Sequence, residues 1–219
     1  MPTLNDIELR VLGVLIEKAL AVPDSYPMTL NSITTGANQK QNREPVTSYG
    51  EGDVSAALRS LQHRNLVTQA PPSYGARAVR FQHAVVDVFH WDRREQAVMA
   101  ELMLRGRQTP GELRTHASRM VELPDLAAVQ AILDALRSGD RAFVEELPRE
   151  PGRSANRFRH LLSGDTALKP IAVNTTESAS GGILMPLEES EGSSSLADRV
   201  ARLEAEVADL KAILAAKAP

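Results

Sequence analysis

The chain has 219 residues, with 25 Lys and Arg against 28 Asp and Glu, five His, one Trp and no Cys. That length fits one large domain or two small ones, and a hydrophobic fraction of 42% is too high for a wholly disordered chain. The absence of Cys excludes disulfides, thiolate nucleophiles, iron–sulfur clusters and Cys-ligated zinc, and the net charge of −3 argues against a broadly basic nucleic-acid coat.

Asn5-Asp-Ile-Glu8 is a capping-box pattern. It opens a helix with Ile7, Val11, Val14 and Leu15 on its apolar side and Ile16 at the margin. Thr29 caps a second helix carrying Leu30, Ile33 and Ala37. A third runs from about Gly52 to Asn65 behind an N-cap at Gly50, with Val54, Leu58 and Leu61 inward. Residues 66–83 alternate apolar and polar, turn at a Pro/Gly cluster and alternate again, which predicts a β-hairpin.

The same order then recurs. Asp92-Arg-Arg-Glu95 opens a helix with Val98, Leu102 and Met103 as its apolar positions. Thr109-Pro110-Gly-Glu112 supplies a cap, a first-turn Pro and the third-position Glu of another capping box, with Leu113 and Ala117 following on the core face. A helix over about Asp125–Arg137 carries Val129, Leu133 and Leu136, each 75 residues after Val54, Leu58 and Leu61. Residues 143–160 match 66–83 without a gap, and seven of eighteen positions are identical, among them Arg80/Arg157, Phe81/Phe158 and His83/His160.

Three helices and a hairpin in each repeat is the order of a winged helix-turn-helix, with the third helix as reader and the hairpin as wing. The expected fold is α+β and mostly α, with winged-helix domains at 1–84 and 85–162 that pack on each other to bury more apolar surface. Residues 163–195 are rich in Ser, Thr, Gly and Glu and predict a flexible linker. Its one apolar run, Ile183–Leu187, fits either a patch resting on the protein's own surface or a docking motif. Residues 196–216 predict a short coiled-coil helix, with Leu196, Leu203 and Leu210 at d and Val200, Val207 and Leu214 at a. Arg199 would face Glu204, and Glu206 would face Lys211, in a parallel homodimer. The alternative is a helix that folds back on the body.

Four stretches carry a family likeness. They are Tyr26-Pro-Met-Thr-Leu-Asn31, Asn38-Gln-Lys-Gln-Asn-Arg-Glu-Pro-Val46, Leu104-Arg-Gly-Arg-Gln-Thr-Pro-Gly-Glu-Leu-Arg114 and Arg149-Glu-Pro-Gly152. In this order and spacing, over about residues 4–164, the chain resembles the YceH family of uncharacterised bacterial proteins. The resemblance implies a tandem winged-helix fold and a bacterial cytoplasmic setting, and it names no biochemical activity. Gly50 departs from the Ser that relatives carry at that cap.

No catalytic constellation emerges. Phosphate-loop, nucleophile-elbow and HExxH patterns are absent, and no two His stand at i,i+4, so no enzyme activity, cofactor or metal is expected. No stretch approaches the ~18–20 apolar residues of a membrane span, and no basic-then-apolar leader precedes Asn5, so no membrane association and a cytoplasmic location are expected.

Charge is uneven. Residues 165–219 hold nine acids and five bases, a net of −4, which leaves the body at +1. Candidate nucleic-acid contacts are Lys40, Asn42 and Arg43 before the third helix, Arg59 and Arg64 on it, Arg77 and Arg80 on the first wing, and Arg153 and Arg157 on the second. Arg43 fits equally a brace between helices, paired with Glu44 or another acid. Two functions follow as expectations: a dimeric regulator of double-stranded DNA, or a protein-interaction scaffold using the same surfaces.

Overall fold

Side-chain caps start four of the helices as the sequence predicts. Asn5 opens α1 (Asp6–Ala21), accepting the Glu8 amide at 2.9 Å while the Glu8 carboxylate takes the Asn5 amide at 2.9 Å. Asp92 and Thr109 make the same reciprocal pair with Glu95 and Glu112, at the starts of α5 (Arg93–Arg105) and α6 (Pro110–Ala117). Thr29 caps α2 (Leu30–Ala37) through the Ser32 amide at 3.3 Å. The structure is a computed structural model that describes residues 3–71, 78–138, 141–149, 152 and 155–163. It adds β1 (Met28–Thr29), α3 (Glu51–His63), β2 (Val67–Gln69), β3 (Arg80–His83), α4 (Val85–Phe89), α7 (Leu126–Ser138), β4 (Val144–Leu147) and β5 (Arg157–His160). The architecture is mixed α and β, with helix dominant.

The repeat seen in sequence is a repeat of register. Val67 pairs with His83 and Gln69 with Phe81 in the first hairpin. Val144 pairs with His160 and Glu146 with Phe158 in the second, each position shifted by 77. A third chain segment joins each hairpin at the same place: Met28 pairs with Phe81 through β1, and Gln108 bridges to Phe158. One arginine in each copy fastens that segment. Arg80 donates to the Pro27 carbonyl at 2.7 Å, and Arg157 to the Arg107 carbonyl at 3.0 Å. The identities at Arg80/Arg157 and Phe81/Phe158 thus serve sheet construction.

The two copies share one core. Helix α1 is buried all round from Glu8 to Glu17, because α2 and α3 pack on one side and α5 on the other. The sequence already holds the signal, since Leu9-Arg-Val-Leu-Gly-Val-Leu-Ile16 is too apolar for a single stripe. Gly13 permits the close approach: a Cβ there would lie 3.0 Å from the Leu104 side chain. Each fully buried Leu or Ile contributes about 1.5–3 kcal/mol, so this contact outweighs surface ion pairs in joining the copies. Phe89, Trp91 and Phe143, with ring centroids 4.6–5.2 Å apart, extend the core from the α4–α5 junction to β4. The Leu4 amide donates to the Leu162 carbonyl at 2.7 Å and closes the first copy onto the end of the second. All described residues fall in one compact unit, Met1–Pro170. Among them no helix is long and apolar enough to cross a membrane. The linker and heptad predicted beyond Ser163 lie outside the described residues, as do Arg77 and Arg153.

Candidate nucleic-acid interface

The turn between α2 and α3, residues 38–50, is built from inside. Helix α2 ends with the Gly36 and Ala37 carbonyls unpaired within the helix, and two buried arginines take them. Arg43 Nε donates to Gly36 at 3.0 Å, and Arg10 Nη1 to Ala37 at 3.0 Å. Arg10 also donates to the Pro45 carbonyl at 2.7 Å, and burial is the main cause holding its pKa below the usual value. Arg43 donates to the carbonyl of Asn42 at 2.7 Å and to Gln39 Oε1 at 3.0 Å. Asn38 grips both backbone groups of Tyr49 at 2.8 Å. Asn42 sits at φ 59, a left-handed conformation that Asn tolerates better than most residues.

Arg43 therefore does not face a duplex. Its side chain is 0% exposed and its guanidinium bonds Glu17 Oε2 at 2.6 Å, so of the two roles open to it the structure gives the brace. The acid is Glu17 of α1 rather than Glu44, which is exposed and whose amide donates to the Leu104 carbonyl at 2.9 Å. A buried Arg that loses its partner is costly, and this explains its place beside a carboxylate. Arg80, exposed, and Arg157, half-buried, each spend a donor on the carbonyls named above, and Arg157 also pairs with Glu112 at 3.1 Å.

In the first copy Arg80 is exposed on β3, and what stays outward on the turn and on and after α3 is Lys40, Arg59 and Arg64. None of the three makes an ion pair among the described residues; Arg59 donates to Ser55 Oγ at 2.9 Å. Asn42 is half-buried beside Lys40. The second copy differs. Arg137 bonds Glu146 at 2.6 Å and Asp134 at 3.0 Å, Arg159 bonds Glu145 at 2.6 Å, and Asn156 holds the other Glu146 oxygen. Helix α7 presents Leu126, 52% exposed, with Ala127, Ala131 and Ala135 outward. The two copies share a backbone plan and differ at the third helix: Arg59 and Arg64 are unpaired on and after α3, whereas α7 carries the Arg137 pairs and small apolar side chains, although Arg93, Arg94, Arg107 and Arg114 are also exposed in the second copy.

No cluster of three or more His, Asp or Glu suited to a metal occurs among the described residues. The matched residues of a family model described as "Protein of unknown function, DUF480" are 4–153, covering the turn, both third helices and the first strand of the second hairpin. The chain belongs to the DUF480 family. It is 45% identical to a UPF0502 protein of Geobacter sulfurreducens over 94% of this chain and 90% of the relative. Identity is 42% to one from Azoarcus sp. over 95% and 90%, and 40% to one from Vibrio atlanticus over 96% of each. The names of these UPF0502 relatives state a family and no activity.

Sequence reasoning missed the buried charges of this DUF480 chain. Glu17, Glu101 and Arg119 form a node between the copies. The signal was a carboxylate inside each apolar run: Glu17 after Val14-Leu-Ile16, and Glu101 between Val98-Met-Ala100 and Leu102-Met-Leu104. Charges placed so are rarely buried unless paired.

Proposed function

We propose that this DUF480 chain is a non-enzymatic tandem winged-helix protein that binds double-stranded DNA through its first copy. The observation that carries the reading is the set Lys40, Arg59 and Arg64, outward and without ion pairs among the described residues, on the turn and helix that a helix-turn-helix lays against a duplex. Lys40 and Arg64 meet phosphate, Asn42 supports the turn, and Arg59 reaches a base edge or phosphate from the middle of α3. The finer likeness to the YceH family belongs to this reading, and so does a homodimer through Leu196, Val200, Leu203, Val207, Leu210 and Leu214. Two linked copies gain effective concentration at paired half-sites, which offsets a modest basic surface.

The second copy favours a further role in protein contact. The pairs Arg137–Glu146 and Arg159–Glu145 and the exposed Leu126 suit a neutral partner surface better than phosphate. Binding of a labelled random duplex, followed by anisotropy from ~50 to ~200 mM salt, tests the DNA reading. Binding that weakens steeply with salt is expected. No binding at ~50 mM salt removes DNA and leaves the scaffold reading.

A further inference from the structure

The two inter-helix turns, one in each copy, end on the same carboxylate. Helices α2 and α6 finish at Ala37 and Ala117, and the turns that follow them occupy equivalent places in the repeat. From the first turn, Arg43 Nη2 meets Glu17 Oε2 at 2.6 Å. From the second, Arg119 Nη1 meets Glu17 Oε1 at 2.7 Å, and its Nη2 meets Glu101 Oε1 at 2.6 Å. Glu17 and Glu101 are 1% and 0% exposed, and Arg119 is 31% exposed. Glu101 Oε2 has no hydrogen-bond partner among the described residues. Arg119 Nε also donates to the His116 carbonyl at 3.1 Å, which ties the node to the end of α6.

We propose that Glu17 is a shared anchor through which the first copy's turn (38–50) and the second copy's turn (118–125) order each other. An unmet carboxylate oxygen in a low-dielectric site is costly, and Glu17, unlike Glu101, holds a guanidinium on each of its oxygens. Weakening Arg119 leaves Glu17 Oε1 without its guanidinium, and the carboxylate turns to recover a partner. That motion displaces Arg43, whose other donors hold Gly36, Gln39 and Asn42. The first turn then loosens although nothing in it has changed. By the same linkage, a ligand that orders either turn raises the order of the other. The inference goes beyond the nucleic-acid reading and stands without it, because its readout needs no ligand.

Amide hydrogen exchange on the full chain tests it. Glu44 and Tyr49 report the first turn, and Met120 and Val121 the second, since each amide is hydrogen-bonded there. Glu17→Gln keeps shape and removes charge; exchange at all four reporters is expected to rise about tenfold, while the α5 core stays protected. Arg119→Lys keeps charge and loses the fork, and it covers the case in which Glu17→Gln fails to fold. It is expected to speed Glu44 and Tyr49 as well as its own turn. Arg137→Gln, which breaks the pair with Glu146 away from the node, is expected to leave Glu44 and Tyr49 unchanged. Faster exchange confined to 118–125 in Arg119→Lys overturns the proposal. So does acceleration of Glu44 and Tyr49 by Arg137→Gln, which would reveal general loosening.

Discussion

Nδ1 of His83 and Nδ1 of His160 are buried at matching points of the two hairpins, and neither has a hydrogen-bond partner among the described residues. Burial pulls both pKa values down from 6.5 to about 4; Asp87 partly opposes the shift at His83, and Arg159 reinforces it at His160. Both rings are therefore neutral in the folded chain above a pH of about 4. Between pH 6.5 and 4 the unfolded chain binds more protons than the native one, so stability is full above that window and falls as pH drops through it. The ceiling is about 3 kcal/mol per histidine. Urea midpoints followed by the single buried Trp91 should be clearly lower at pH 5 than at pH 7.5, and the double variant His83→Gln, His160→Gln should flatten the difference. Equal wild-type midpoints at both pH values would contradict the assignment. The arginines divide in the same way. Arg80→Ala should lower the urea midpoint by releasing the Pro27 carbonyl and leave DNA affinity nearly unchanged, whereas Arg59→Ala should do the reverse.

Helix α1 is the element on which both copies depend. Gly13 lies against Leu104 with no room for a branched side chain, so Gly13→Val should destabilise by about 1–3 kcal/mol through overpacking. Because α1 and α5 share one core, the loss should appear as one transition shifted as a whole; a separate early transition of one copy would refute the shared core. Caps, helix order and the two hairpins were legible in the sequence because each rests on local chemistry: Asn5, Thr29, Asp92 and Thr109 needed only their own next turn. The full burial of α1 and α5 was not, because a period of 3.6 reads one face and says nothing of a second neighbour on the other. Nor was the fate of Arg43, Arg80 and Arg157. Their partners Glu17, Pro27 and Arg107 lie 26, 53 and 50 residues away, beyond any spacing rule. Of the nine candidate residues, Arg77 and Arg153 lie outside the described residues, Arg43 is buried, and Lys40, Arg59 and Arg64 are outward without ion pairs among the described residues.

At the scale of the molecule, charge is sorted rather than absent. The body carries +1 and the residues from 165 onward −4, and within the body Arg137 and Arg159 of the second copy pair with the hairpin acids Glu146 and Glu145. A near-neutral sum thus coexists with three unpaired cations around α3. If the Leu/Val heptad dimerises the chain, a version ended at Ser195 should sediment as a smaller species than the full chain; identical species would remove the dimer. The most direct measurement of the central claim compares the copies on one duplex. Anisotropy titrations at ~50 mM salt should show that Arg59→Ala with Arg64→Ala weakens binding at least tenfold and reduces its salt slope. Arg137→Ala with Arg159→Ala should leave both nearly unchanged. Equal losses from the two pairs, or no loss from the first, would contradict a DNA surface confined to the first copy.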